Sequence, residues 1–146
     1  MVNTMKFINT FITYSLIFLG LLLTSLGHSE TAVIVHPSNN NDFSSKDIQR
    51  IFLGKLNTFR DGGPAIPLDQ KLGNTTRKFF IKTILKKTDK QMTAYWSRQV
   101  FTGRGLPPKE VDDPAALKKL VAENPNTIGY IDASIVDKSI KVVHRF

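Results

Sequence analysis

Between residues 31 and 144, short β-branched or apolar runs alternate with amphipathic segments that open on helix-capping signals, and this order constrains the fold more than any other feature. TAVIV at 31–35 is closed by His36, Pro37 and a run of asparagines, so it reads as a buried strand leaving its sheet into a turn. Ser44 with Asp47 three residues on is a capping box, and Ile48, Ile51 and Phe52 then fall on one side of a helix that Gly54 ends. KLNTFRDGGP at 55–64 is a loop by its glycines and proline, and AIPL at 65–68 is a second short strand. A helix over about 75–87 follows. Thr88 with Gln91 opens the next, which carries Met92, Tyr95, Trp96, Gln99 and Val100 at helical spacing. Past the GRGLPP loop at 103–108, Asp113 and Pro114 give cap and first-turn signals for a helix to about Ala122. Strands at 127–131 and 139–144 complete the series. Strands alternating with helices predict an α/β fold with a parallel or mixed sheet.

Residues 1–29 stand apart from this pattern. Lys6 supplies a positive end, 11–23 is apolar, and Gly27, His28 and Ser29 precede a cleavage point ahead of Glu30. They are expected to be a signal peptide, leaving 30–146 as one domain with a modest core. The alternative is an uncleaved anchor, because 7–26 approaches the ~20 apolar residues of a bilayer span. Such an anchor would be the chain's only membrane contact. The sequence contains no cysteine, which excludes disulfides, thiol catalysis and cysteine-bound zinc. Lys6 is the leader's one charged residue, so 19 of the 20 Lys and Arg remain beyond it, against 12 Asp and Glu. That excess suits an anionic partner. A secreted chain rarely meets nucleic acid as its cognate partner, so phosphate, an acidic polymer or a membrane surface rank above it.

Hydrolytic catalysis needs a nucleophile, a base and an orienting acid within reach of one another. Beyond the leader only His36 and His144 are available, each beside a strand, and no G-x-S-x-G is present. H-E-x-x-H is also missing, and Asp112 and Asp113 are explained by the helix cap. No enzymatic activity, catalytic residue, metal or cofactor is therefore expected.

KLGNTTRKFF at 71–80 carries the strongest chemical signal. The first N–H groups of a helix lack internal partners, and the helix dipole adds positive potential there, so anions bind such ends. Gly73 and Asn74 tolerate the bend, Thr75 and Thr76 offer hydroxyl donors, and Arg77 adds a forked cation. By helical angle Arg77 lies with Phe80, Ile81, Ile84 and Leu85 on the core side, whereas Lys78, Lys82 and Lys86 form a separate solvated stripe. The alternative is that Thr75 merely caps the helix while Arg77 pairs with Asp69. Of the neighbouring aromatic stretch, Met92, Tyr95 and Trp96 are core-like. Arg98 and Arg104 are the better candidates for lining a pocket.

DIQRIFLGK at 47–55, the DGGP loop, AIPLD, GNTTRKFF and ENPNTIGYID at 123–132 occur in an order that resembles the periplasmic phosphate-binding proteins of ABC transporters. The resemblance is closest to their small single-domain relatives, which share the pattern WSRQVFTGRGLPP. It covers most of the chain beyond the leader and implies a single lobe of the type II periplasmic-binding-protein fold, a mixed sheet flanked by helices. In the family a D-G-S-G-T-T stretch at a helix start supplies hydroxyls and N–H groups to phosphate. Here that stretch falls on 71–76, with Thr75 and Thr76 carried over, Gly73 at the serine, and Asp69 where the family has an arginine. The resemblance thus implies a ligand site at Gly73, Asn74, Thr75, Thr76 and Arg77 for phosphate or a related small anion, in the periplasm and in association with an ABC permease. The alternative is a non-transport interaction module of the cell envelope that keeps the fold and docks on an acidic partner through its basic surface and the GRGLPP loop.

Overall fold

The computed structural model describes residues 30–146; the expected signal peptide at 1–29 lies outside the described residues. Among them, five strands form one mixed sheet in the order β3-β2-β4-β1-β5. β1 (Thr31–Val35) runs antiparallel to both β4 (Thr127–Asp132) and β5 (Lys141–Arg145). β2 (Ile66–Gln70) runs parallel to β4 and to β3 (Lys109–Val111). The α/β class and mixed pairing expected from the alternation are what the chain adopts.

The sheet is covered on both faces, which is why all five residues of β1 are buried. On one side α1 (Ser45–Phe52), α2 (Thr75–Phe80) and α3 (Asp89–Phe101) deliver Ile51, Phe52, Phe80, Met92 and Trp96 against Val33, Val35, Ile128 and Tyr130. On the other, α4 (Pro114–Glu123) packs Leu117 and Val121 against Ala32, Ile34 and Ile131. Gly129 makes that second approach possible, because a Cβ there would stand 2.6 Å from the Leu117 Cδ2 atom.

Caps expected at Ser44, Thr88 and Asp113 are present, the first two as full capping boxes. Three features differ from expectation. The second helix of the series, α2, is capped by the Asn74 side chain, not by Thr75, and its α-turns stop at Phe80. A π turn over Ile81–Leu85 continues it, ended by Lys86 in the left-handed region at φ 54°. β3 carries no β-branched run. It forms because Pro107 and Pro108 hold the incoming chain extended beside the free edge of β2, with Val111 turned inward.

Candidate functional site

The end of β2 and the start of α2 meet over a linked set of polar side chains. The Asn74 side-chain oxygen accepts the Arg77 N–H at 3.2 Å, which closes the helix start without occupying the N–H groups of Thr75 and Thr76. Those two are the first residues of the helix and have no intrahelical acceptor. Gly73 makes the turn into the cap at φ 93°, a conformation a side chain would strain.

The Arg77 side chain turns away from that opening. Its Nε donates to Asp69 at 3.2 Å and its Nη1 to Asp89 at 2.6 Å, and the residue is 7% exposed. Burial opposes the charged guanidinium, but Asp69 foremost, with Tyr130 and Asp89, outweighs it, so the Arg77 pKa lies above the ordinary arginine value. Asp69 also accepts a hydrogen bond from the Tyr130 hydroxyl. Burial, and next the Asp69 carboxylate, push the Tyr130 phenol well above its usual pKa, so it stays a neutral donor. Phe80 stacks on the Tyr130 ring at a centroid distance of 3.9 Å and an interplanar angle of 4°. Gln70 donates through Nε2 to the Tyr130 carbonyl at 2.8 Å. Of the two roles open to Arg77, pairing with Asp69 is the one its side chain takes, extended by Asp89.

Two clefts flank this set. Thr75 and Thr76 open onto one of about 590 Å3, which Phe79, Phe146, Glu30 and Asp132 also line. Glu30 is paired there with Arg145 at 2.8 Å, and the Asp132 carboxylate accepts the Ser134 N–H at 2.9 Å. Arg77 and Asp69 instead border a second cleft of about 580 Å3, walled by Met92, Trp96, Val100 and Phe101. Arg98 and Arg104 are exposed and line neither cleft; the side chains of that stretch that do are uncharged, Trp96, Ser97, Val100 and Phe101. Met92 and Trp96 are buried and Tyr95 packs against the core, as their spacing predicts. The backbone and threonines of the candidate stretch therefore face one cleft and its arginine the other.

Asp89 and Tyr130 were not singled out by sequence. Asp89 had a signal, an acidic residue directly after the Thr88 cap, where the dipole favours a carboxylate. Tyr130 had only its place in a buried strand.

No family model and no curated protein matches the sequence. Solved structures do match. An ABC-type phosphate transport receptor from Vibrio cholerae aligns over 77% of this chain and 44% of its own, with a TM-score of 0.60 and 16% identity. Over that span the chain shares the α/β fold of this receptor. A protein from Clostridium perfringens, assigned as a phosphate ABC transporter substrate-binding protein and solved with bound phosphate, aligns over 79% of this chain and 45% of its own, at TM-score 0.61 and 26% identity. PstS from Borrelia burgdorferi gives 79%, 47%, 0.57 and 11% for the same quantities. The chain thus spans less than half the length of the receptors it matches, and what it has in common with them is the α/β framework.

Proposed function

We propose that this protein is a periplasmic binding protein that takes phosphate, or a related small anion, at the start of α2 and works with an ABC transporter. One observation carries the reading: the cap on α2 spends Asn74 on Arg77 and leaves the N–H groups and hydroxyls of Thr75 and Thr76 turned to an open cleft. Gly73 and Asn74 set that backbone, and Arg77 acts from beneath, holding β2 and α3 against the helix start. The framework common to phosphate receptors supports the choice of ligand. Two carboxylates on the same cleft favour an anion that still carries a proton, hydrogen phosphate before sulfate. The described residues supply one wall of such a site, the one formed by the start of α2.

Ligand binding to the folded state raises its stability with the logarithm of free ligand over Kd, by about 2.7 kcal/mol at a hundredfold excess. Millimolar phosphate should therefore raise the melting temperature by several degrees, and sulfate by less. Thr75→Val with Thr76→Val should abolish the rise and leave the ligand-free melting temperature within a degree or so. An unchanged melting temperature across the phosphate titration would refute the site.

A second reading, an envelope module that docks on an acidic partner, is favoured by the tip of the GRGLPP loop. Leu106 in that loop and Phe101 at the end of α3 are 78% and 93% exposed, and Arg98 and Arg104, near them in sequence, are exposed as well. Phe101→Ser combined with Arg104→Glu should release an acidic partner retained from an envelope fraction while phosphate binding persists. Retention of nothing by the unaltered protein rules this reading out.

A further inference from the structure

We infer that the groove between the start of α1, the π turn and β5 is a second ligand site, one that takes an organic phosphate monoester. It measures about 470 Å3, within the range of small-molecule sites, and shares only Phe146 with the clefts at α2. Lys46 enters it from the first turn of α1, Lys86 from the end of the π turn and His144 from β5, with the hydroxyls of Ser45 and Thr83 between them. Ser45 and Lys46 are also the first two residues of α1, whose N–H groups have no helical acceptor. None of the residues lining the groove is acidic. The carboxylate nearest in sequence, Asp47, is engaged by Ser44 and Arg60 and lines a different cleft. The positive potential of the groove is therefore unopposed, in contrast to the cleft at Thr75, where Glu30 and Asp132 sit.

The groove is built from tied side chains. His144 Nε2 lies 3.1 Å from Ser45 Oγ, and its ring stacks beside that of Phe146 at 5.9 Å. Gln49 Nε2 donates to the Ile84 carbonyl at 3.1 Å, which pins the π turn to α1. Lys86 occupies a left-handed position at a helix end, where glycine or asparagine is usual and a long side chain strains the backbone. A cap alone leaves that choice of residue unexplained; a cation required at the groove accounts for it. Ile84 and Phe146 add apolar wall, so the ligand that fits the lining is a phosphate group carrying an apolar substituent.

Calorimetric titration with phenyl phosphate tests the site. Lys46→Ala and Lys86→Gly should each weaken binding by about tenfold or more, as for loss of a charge-assisted hydrogen bond. The melting temperature of Lys86→Gly should hold or rise, because glycine relieves the left-handed strain. Lys78→Ala removes the same charge from the exposed face of α2 and should leave the affinity unchanged. Sedimentation with phosphatidylcholine vesicles containing phosphatidic acid separates the two sources of a monoester. Retention that needs Lys46 and Lys86 assigns a lipid headgroup, and its absence alongside phenyl phosphate binding assigns a soluble ligand. Failure of the unaltered protein to bind either probe overturns the inference, as does equal weakening by Lys78→Ala.

Discussion

Arg77→Leu is expected to lower the free energy of unfolding by about 3 kcal/mol, near the lower end of what breaking a buried ion pair costs. The guanidinium stands between two carboxylates that come from different elements, Asp69 at the end of β2 and Asp89 at the start of α3. Removing it strands both charges, but not equally. The Asp89 side chain is 30% exposed and can rehydrate, whereas Asp69 is 13% exposed and has only Tyr130 and its neighbouring backbone N–H left. The cost therefore falls mainly on Asp69, and a second change should recover part of it. Asp69→Asn in the Arg77→Leu background removes the stranded charge while keeping an acceptor for Tyr130, so the double variant should be more stable than Arg77→Leu alone. Urea denaturation of the four corners of that cycle measures the coupling. A deficit for Arg77→Leu below about 1 kcal/mol would place the pairs among ordinary surface bridges and remove Arg77 as the keystone of the helix start.

Phe80→Ala should be comparably damaging, about 3–5 kcal/mol, for a different reason. Its ring fills the space between Phe52, 4.7 Å away, and Tyr130, so truncation leaves a cavity in the middle of the larger core. The same ring holds Tyr130 flat beneath α2, and Tyr130 presents its hydroxyl to Asp69. Loss of the ring thus loosens the acceptor that anchors Arg77. Phe80→Leu, which keeps most of the volume, should cost about 1.5 kcal/mol or less. If alanine and leucine prove equally destabilising in guanidinium titrations, the cavity is not the cause.

Much of this fold was legible because its signals are local. Capping at Ser44, Thr88 and Asp113 needs only residues within three positions, and the apolar spacing of Ile48, Ile51 and Phe52 reports directly on which side of α1 is buried. What depends on distant partners was not legible. KEV at 109–111 becomes a strand only because β2 presents an unpaired edge beside it. The π turn is tied to α1 through Gln49, and nothing between Ile81 and Leu85 announces it. The candidate site divides along the same line. Glycine, asparagine and threonine at 73–76 mark a helix start by their own chemistry. The pairing of Arg77 with Asp69 was one of the two roles its sequence position left open, whereas its second partner, Asp89, lies twelve residues away across a turn.

The strand order has a consequence for the time course of folding. β1 finds its two neighbours in β4 and β5, about a hundred residues further along the chain. Contacts of such long separation are slow to form, because loop closure must precede any gain from pairing. Synthesis at about 5–20 residues per second leaves β1 without a neighbour for roughly 5–20 s after it emerges. Its five buried positions have nowhere to go in that interval, and the sheet cannot close around them until the last strand arrives. Burial of β1 is therefore among the last steps of folding on a growing chain.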